Sequence, residues 1–241
     1  MKDEWNIKRI VANTCLIAII LSLSVRIGFA QDGILKVQNG KIADSELFKK
    51  NRYAMPSFSK GIIMLKDRRS YSGIFNIDNC SQTLRMIDEK GDTVTVAAED
   101  MVVSLSAGGY LFLKIKNNYV QILDTDGETS LGVVRQITFG RKVQEGVFGI
   151  TNDIASMNNI VSTEDNFYYQ IEKGLWSGSV PFNYKEHVFL VKDGKLFPVN
   201  KPTLKKFYPK KYPEIENYIS EHNPDLSKRE DVSLLYKFVI R

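Results

Sequence analysis

The side chains of this 241-residue chain with types and spacing that could do chemistry are few. His187 opens an apolar run and His222 falls on the apolar face of a predicted helix. An imidazole works as a base or ligand when a polar partner tunes it. Neither histidine has a second His, a Cys or a close carboxylate at ligand spacing, so both read as packed or rim residues. Cys80 sits in the turn-like DNCSQ segment with no histidine near it in sequence. Without a base or cation to form the thiolate, it reads as a small turn residue. Ser177, in GLWSGS, lacks the Gly-x-Ser-x-Gly spacing and the strand-to-helix context that expose a nucleophile. Asp124, Asp126 and Glu128 of DTDGE offer three carboxylates to Ca²⁺, but the remaining ligands of a calcium loop are missing and Asp126-Gly127 suits a hairpin. No Gly-rich phosphate loop precedes a helix. The sequence therefore nominates no catalytic, cofactor-binding or metal-ligating residue, and no cofactor is expected.

A different chemistry is offered by TLKKFYPKKYPEIENYIS, residues 203–220, which holds four lysines before its first carboxylate. Lys201, Lys205, Lys206, Lys210 and Lys211 could contact an acidic surface such as anionic headgroups, each worth ~1 kcal/mol near such a surface. The alternative is that they are the solvated side of a packed cap, their alkyl stems lying over aromatic rings. The elements that would position them are three short helices. Asn200 caps the first, with Pro202 in its first turn where a missing N–H costs nothing, and Pro209 stops it. Pro213 starts the second, and Ile215, Tyr218, Ile219 and His222 share one face. Asn223-Pro224 ends it. Ser227-Lys228-Arg229-Glu230 predicts a capping box for the third, with Val232, Leu235, Tyr236 and Val239 as its buried stripe. Leu204, Phe207, Tyr208 and Tyr212 are then expected to point inward.

The amino terminus sets the expected compartment. Lys2, Lys8 and Arg9 precede an uncharged run from 10 to 25, too short for a spanning helix of ~20 residues. Gly28-Phe29-Ala30 then supplies the small residues a signal peptidase accepts. A secretory signal over 1–30 is expected, with an uncleaved anchor as the alternative. Without the leader's four basic and two acidic residues, the remaining 211 carry 29 basic and 26 acidic residues, net +3. That excess is too slight for a nucleic-acid binder, which must neutralise many phosphates. Cys15 leaves with the leader, so no internal disulfide is possible and the exported chain holds together by burial alone.

From residue 58 short apolar runs alternate with turn residues: GIIML, YSGIFNI, TLRMI, TVTVA, MVVSL, YLFLKI, YVQIL and LGVVRQITF. Several alternate with a period of two, and EKGD, AGG, KNN and TDGE are tight-turn chemistry. The expectation is a mainly β (α+β) fold: an antiparallel meander forming a small barrel or twisted sheet, with a carboxy-terminal helical cap. FYYQIEKGLW (167–176) and the hairpin HVFLVKDGKLFPV (187–199) are expected to extend the sheet. Residues 31–57 are expected to be a linker, 58–200 the β domain and 201–241 the cap. Residues 140–164 break the pattern and predict a long loop, either an ordinary connector or a binding lid.

SKGIIMLKDRRSYSGIFNID followed by LRMIDEKGDTVTV, then YLFLK, YVQIL and the Lys-rich tail, resembles uncharacterised secreted β-rich proteins of Bacteroidota. The shared pattern is an apolar strand, a Lys-Asp turn, Gly-x-Phe-Asn with an apolar residue and Asp after it, then Gly-Asp-Thr. Arg68-Arg69 departs from it where Gly is usual, leaving the first turn's type open. The resemblance implies the fold and export, and no activity. The leading functional expectation is a non-catalytic protein of the periplasm or cell surface that binds a protein or small ligand in the envelope. A hydrolase using His187 or Asp residues beneath the 140–164 loop, and a peripheral binder of anionic membrane or acidic polymer, are the alternatives. No transmembrane span is expected in the mature chain.

Overall fold

The structure, a computed structural model, describes residues 31–38, 41–140, 171, 173 and 177–240. The expected leader and the long loop beyond Gly140 lie outside the described residues. So does the FYYQIEKGLW run apart from Ile171 and Lys173, neither of which is in a strand.

Among the described residues, twelve strands build one sheet in which every pairing is antiparallel. They are β1 (Gln31–Gln38), β2 (Lys41–Asp44), β3 (Ser59–Leu65), β4 (Ser70–Asp78), β5 (Thr83–Ile87), β6 (Thr93–Thr95), β7 (Val102–Ala107), β8 (Tyr110–Ile115), β9 (Asn118–Thr125), β10 (Ser130–Phe139), β11 (Gly178–Lys192) and β12 (Lys195–Pro198). Helices are α1 (Glu46–Asn51), α2 (Lys201–Phe207), α3 (Tyr212–His222) and α4 (Arg229–Leu235), followed by a π turn over Tyr236–Ile240. The sheet order is β2-β1-β11-β10-β9-β8-β7-β3-β4-β5-β6, with β12 beside the second half of β11. The expected mainly β architecture with carboxy-terminal helices is present, and of the two forms anticipated it is the twisted sheet, not a closed barrel.

One expectation is corrected. Residues 31–57 are not a linker: β1 pairs with β11 from Gln31↔Tyr184 to Val37↔Gly178, β2 pairs with β1, and Ser45 caps α1 by accepting from Phe48 N. The partner strand lies about 150 residues away, so local propensity had nothing to report. The first half of β11, Gly178–Glu186, was missed for the same reason.

The turns behave as their residues require. Asp193 and Gly194 both take positive φ, 50° and 67°, in the two-residue loop between β11 and β12, the geometry that matches strand twist. In the β3–β4 turn Arg68 occupies the left-handed region at φ 68° where Gly is the natural choice, and Asp67 holds the turn by accepting from Arg69 N and Nε. Gly61 lets β3 approach β7: a Cβ there would collide with the Ala107 side chain and stand 2.5 Å from Ser106 O.

Side-chain alternation sorts the core. One face of β10 and β11 carries Leu131, Val133, Arg135 and Ile137 opposite Leu190, Val188, Glu186 and Tyr184. α1 packs on this face with Phe48 against Phe182, Val180 and Leu35, while α2–α4 pack on Leu131, Val188 and Leu190. The curl of β3–β9 encloses a third cluster, with Phe75, Leu84, Leu105 and Phe112 buried. The opposite face of the sheet holds Ile115, Val120, Val134 and Val191.

Because the sheet curls without closing, its seam is joined by side-chain amides. Asn76 accepts from Met55 N and Ile77 N and donates to Met55 O, all within 3.0 Å and fully buried. Asn79 donates through Nδ2 to Asn51 O, while its main-chain carbonyl accepts from Ile137 N of β10. Gln82 donates to Arg135 O at 2.6 Å and accepts from Tyr119 N at 3.3 Å. Asn76→Ala leaves the N–H and C=O of Met55 buried without that partner and is expected to cost about 3 kcal/mol of stability. Urea unfolding of the two proteins checks this, and a loss under about 1 kcal/mol counts as failure.

Candidate functional site

α2 forms as its residues predict. Asn200 Oδ1 accepts from Thr203 N at 2.9 Å, Pro202 occupies the first turn, and Tyr208 ends the helix before Pro209. α3 runs to His222 and is ended by Asn223 in the left-handed conformation, φ 44°. α4 departs from expectation: it starts from Lys228 with no side-chain cap, and the expected capping box is absent. The Ser227 hydroxyl instead donates to Asp225 Oδ1 at 2.6 Å, and Asp225 N donates to Asp231 Oδ2. A serine satisfied by its own turn is not available to the helix.

Burial fastens these helices to the sheet. Leu204, Ile215, Val232, Leu235 and Tyr236 are buried, and Phe207, Tyr208, Tyr212, Tyr218 and Ile219 pack around them. Val239 of the expected stripe has a side chain outside the described set. Tyr236 donates to Thr129 O at 2.7 Å, and burial first, then the charge of Asp126, pushes its hydroxyl pKa up to about 12. A polar clasp adds to the apolar contact: Glu186 Oε1 accepts from Arg135 Nε, Tyr184 OH and Arg229 Nη1 at 2.9, 2.9 and 3.2 Å. It links α4 to β10 and β11.

On this docked cap Lys201, Lys205, Lys206 and Lys210 are exposed, and Lys211 is half-buried. Lys205 Nζ lies 5.6 Å from the Tyr212 ring, and Lys206 Nζ lies 6.0 and 5.9 Å from Phe197 and Phe207. Two of the five ammonium groups thus lie over aromatic rings of the cap and hairpin. The structure also enlarges the set. Lys192 Nζ is 5.7 Å from the same Phe207 ring, and Lys195 is exposed across the hairpin turn from it. Residues 192–211 contain seven lysines and one carboxylate, Asp193. Lys192 is partly neutralised by Glu128 at 3.4 Å. The signal for the two added lysines is the hairpin itself, which ends three residues before Lys201 and must lie against the helix it feeds.

The other nominated side chains are not brought together. His187 stands exposed on β11 opposite Val134, with Phe189 as its ring neighbour. His222 stacks on Tyr218 with ring centroids 4.2 Å apart. Cys80 is half-buried after β4, packing beside the Phe48 cluster, with its N–H held by Asp78 Oδ1. Ser177 directly precedes β11, with no helix following it. In DTDGE, Asp126 Oδ1 accepts from Glu128 N and Thr129 N, so that carboxylate is occupied by the hairpin. Among the described residues no group of three or more His, Cys, Asp or Glu side chains could hold a metal ion. An open cleft of about 440 Å³ lies between β1, β10 and β11, lined by Ile34, Phe139, Pro181 and Phe182, with Asn183 Nδ2 donating to Asp32 Oδ1 at its rim. It borders the start of the 141–170 segment, which lies outside the described residues.

No protein-family model, curated protein or solved structure matches this chain. No described helix is long and apolar enough to cross a membrane.

His187 gives a pH test of this geometry. Loss of water around the ring, then the charge of Lys185, hold its pKa below the ordinary 6.5. A histidine depressed in the fold contributes stability that is present above its unfolded pKa and lost as pH falls through the folded value. The NMR titration midpoint of His187 is therefore expected below 6.5, and His187→Gln should flatten the acid side of the stability profile. A midpoint at or above the ordinary value contradicts it.

Proposed function

We propose that this chain is an exported cell-envelope protein that acts by binding and not by catalysis, and that the lysine and aromatic face of α2, the turn after it and the β11–β12 hairpin meets a surface of anionic headgroups. Export rests on the amino-terminal pattern of charge, apolar run and small residues, and on the resemblance to secreted proteins of Bacteroidota. The observation that carries the binding reading is that residues 192–211, on a packed support, hold seven lysines and one carboxylate, with Glu128 from outside that stretch beside Lys192. Rings beneath Lys192, Lys205 and Lys206 hold these three ammonium groups, which leaves them less side-chain freedom to lose on binding.

The half-buried state of Phe197, Phe207 and Tyr212 favours contact through charge over insertion. Binding of that kind weakens as salt screens it. The hydrolase alternative would need the segment after Gly140 as its cover, and no described side-chain cluster favours it.

Flotation with phosphatidylglycerol vesicles tests the proposal. The protein is expected to float with them at low salt, to be released at high salt, and to ignore neutral phosphatidylcholine vesicles. Replacing Lys205, Lys206, Lys210 and Lys211 by Gln removes ~4 kcal/mol at ~1 kcal/mol per lysine, about a thousandfold in affinity. Three of these side chains are exposed and Lys211 is half-buried, so the melting temperature should change little. Binding that survives the four substitutions, or that prefers a soluble polyanion to the vesicles, defeats the headgroup assignment.

A further inference from the structure

On the sheet face turned away from α1–α4, strand register sets two cross-strand rows. One runs Ser72, Ile62, Ser106, Leu111, Ile122 and the other Ser70, Met64, Ser104, Leu113, Val120. Short and tall side chains alternate from β4 through β3 and β7 to β8. Ile62, Met64 and Leu111 are 51%, 43% and 44% exposed, because serines and not apolar neighbours stand beside β3. Further along the same rows Val120 is fully buried and joins Ile115, Val134 and Val191. The β3 ridge is thus the uncovered end of an apolar layer, with the tall-and-short pattern that packed layers use to interdigitate. Lys60 and Lys66, both exposed, stand at the two ends of β3, and neither row contains a carboxylate.

We propose that this ridge docks an acid-flanked apolar segment of another protein, whose apolar side chains fill the serine troughs and whose carboxylates meet Lys60 and Lys66. The lysines are six residues apart, so the carboxylates would stand roughly 20 Å apart at ~3.3 Å per residue. Charge complementarity selects this occupant. A second copy docked face to face would set lysines against lysines with no carboxylate from either row. A bilayer would have to accept four serine hydroxyls into hydrocarbon without partners, whereas a polypeptide backbone supplies donors and acceptors for them. The ridge is separate from the lysine face of the cap, and its test is independent of that reading.

The probe is a labelled synthetic peptide of alternating leucine and threonine with a glutamate at each end, beside a twin with lysine ends, followed by fluorescence anisotropy against the intact protein. The glutamate peptide is expected to bind and the lysine twin to fail. Ile62→Ser combined with Met64→Ser should weaken binding by roughly tenfold or more, as loss of apolar anchors does. Lys60→Glu with Lys66→Glu should exchange the preference between the two peptides. These side chains are exposed, so the folds survive, and melting curves confirm it. The four-lysine cap variant should bind the glutamate peptide unchanged. Equal binding of both peptides, no binding of either, or indifference to the ridge substitutions overturns the proposal. So does a concentration-dependent dimer, or capture by phosphatidylglycerol vesicles, that the Ile62→Ser, Met64→Ser protein loses.

Discussion

An open sheet that curls almost upon itself leaves backbone groups facing inward with no neighbouring strand to pair them, and this fold depends on how they are satisfied. A buried N–H or C=O without a partner costs about 1–3 kcal/mol, so several would consume much of a marginal stability of about 5–15 kcal/mol. Asn76, Asn79 and Gln82 meet that demand with side-chain amides, each able to donate and accept at once. Asn76 mimics a missing strand residue beside Met55, the Asn79 amide holds Asn51 O while its main-chain carbonyl meets β10, and the Gln82 amide joins β10 and β9. Asp78, fully buried between them, is paired with Arg52 at 3.6 Å and Arg85 at 3.8 Å. Removing one member of such a group exposes the rest to an unpaid desolvation cost, so these residues act as a unit. The amino-terminal segment from α1 to Met55 is held in place by the same unit.

That dependence explains what was legible in the sequence. The strands from Gly61 to Phe139 are legible because each has at least one sequence neighbour as a partner, although β3 also pairs with the distant β7. α2 was equally plain, since Asn200, Pro202 and Pro209 specify its start and stop locally. β1 was not legible, because Gln31–Gln38 acquires its strand state from Gly178–Tyr184, and no local pattern encodes a partner so distant. Ser227 misled for the converse reason. Its spacing from Glu230 fits a capping box, but Asp225 competes for the hydroxyl at shorter range. The Gly-x-Phe-Asn-x-Asp string stands out as a pattern, while its role as a polar seam is hidden, because Asn and Asp read from sequence as turn residues and here they end a strand.

The candidate face was legible in part for a related reason. Lys201 to Lys211 are contiguous in sequence and their helical frame follows from Pro and Asn signals, so their outward direction could be inferred. Lys192 and Lys195 join them only because β12 returns the chain beside the helix it precedes, which places Lys192 and Lys206 around one Phe207 ring. Spatial convergence of this kind has no linear signature.

The clasp at Glu186 connects these observations. Glu186 and Arg135 are a directly opposed cross-strand pair on the face that also carries two apolar clusters, one under α1 and one under α2–α4. A carboxylate accepting three donors lies between them, drawing Arg229 of α4 down to the sheet while Gln121 takes the other end of Arg135 at 2.5 Å. Apolar contact alone is nondirectional and would let a three-helix cap slide on such a surface. Charge-assisted hydrogen bonds have directions, and here they fix one orientation of α4. The lysines of α2 and of the turn after it belong to the same packed cap, so the geometry of the basic face is set by an ion cluster that no ligand has to touch.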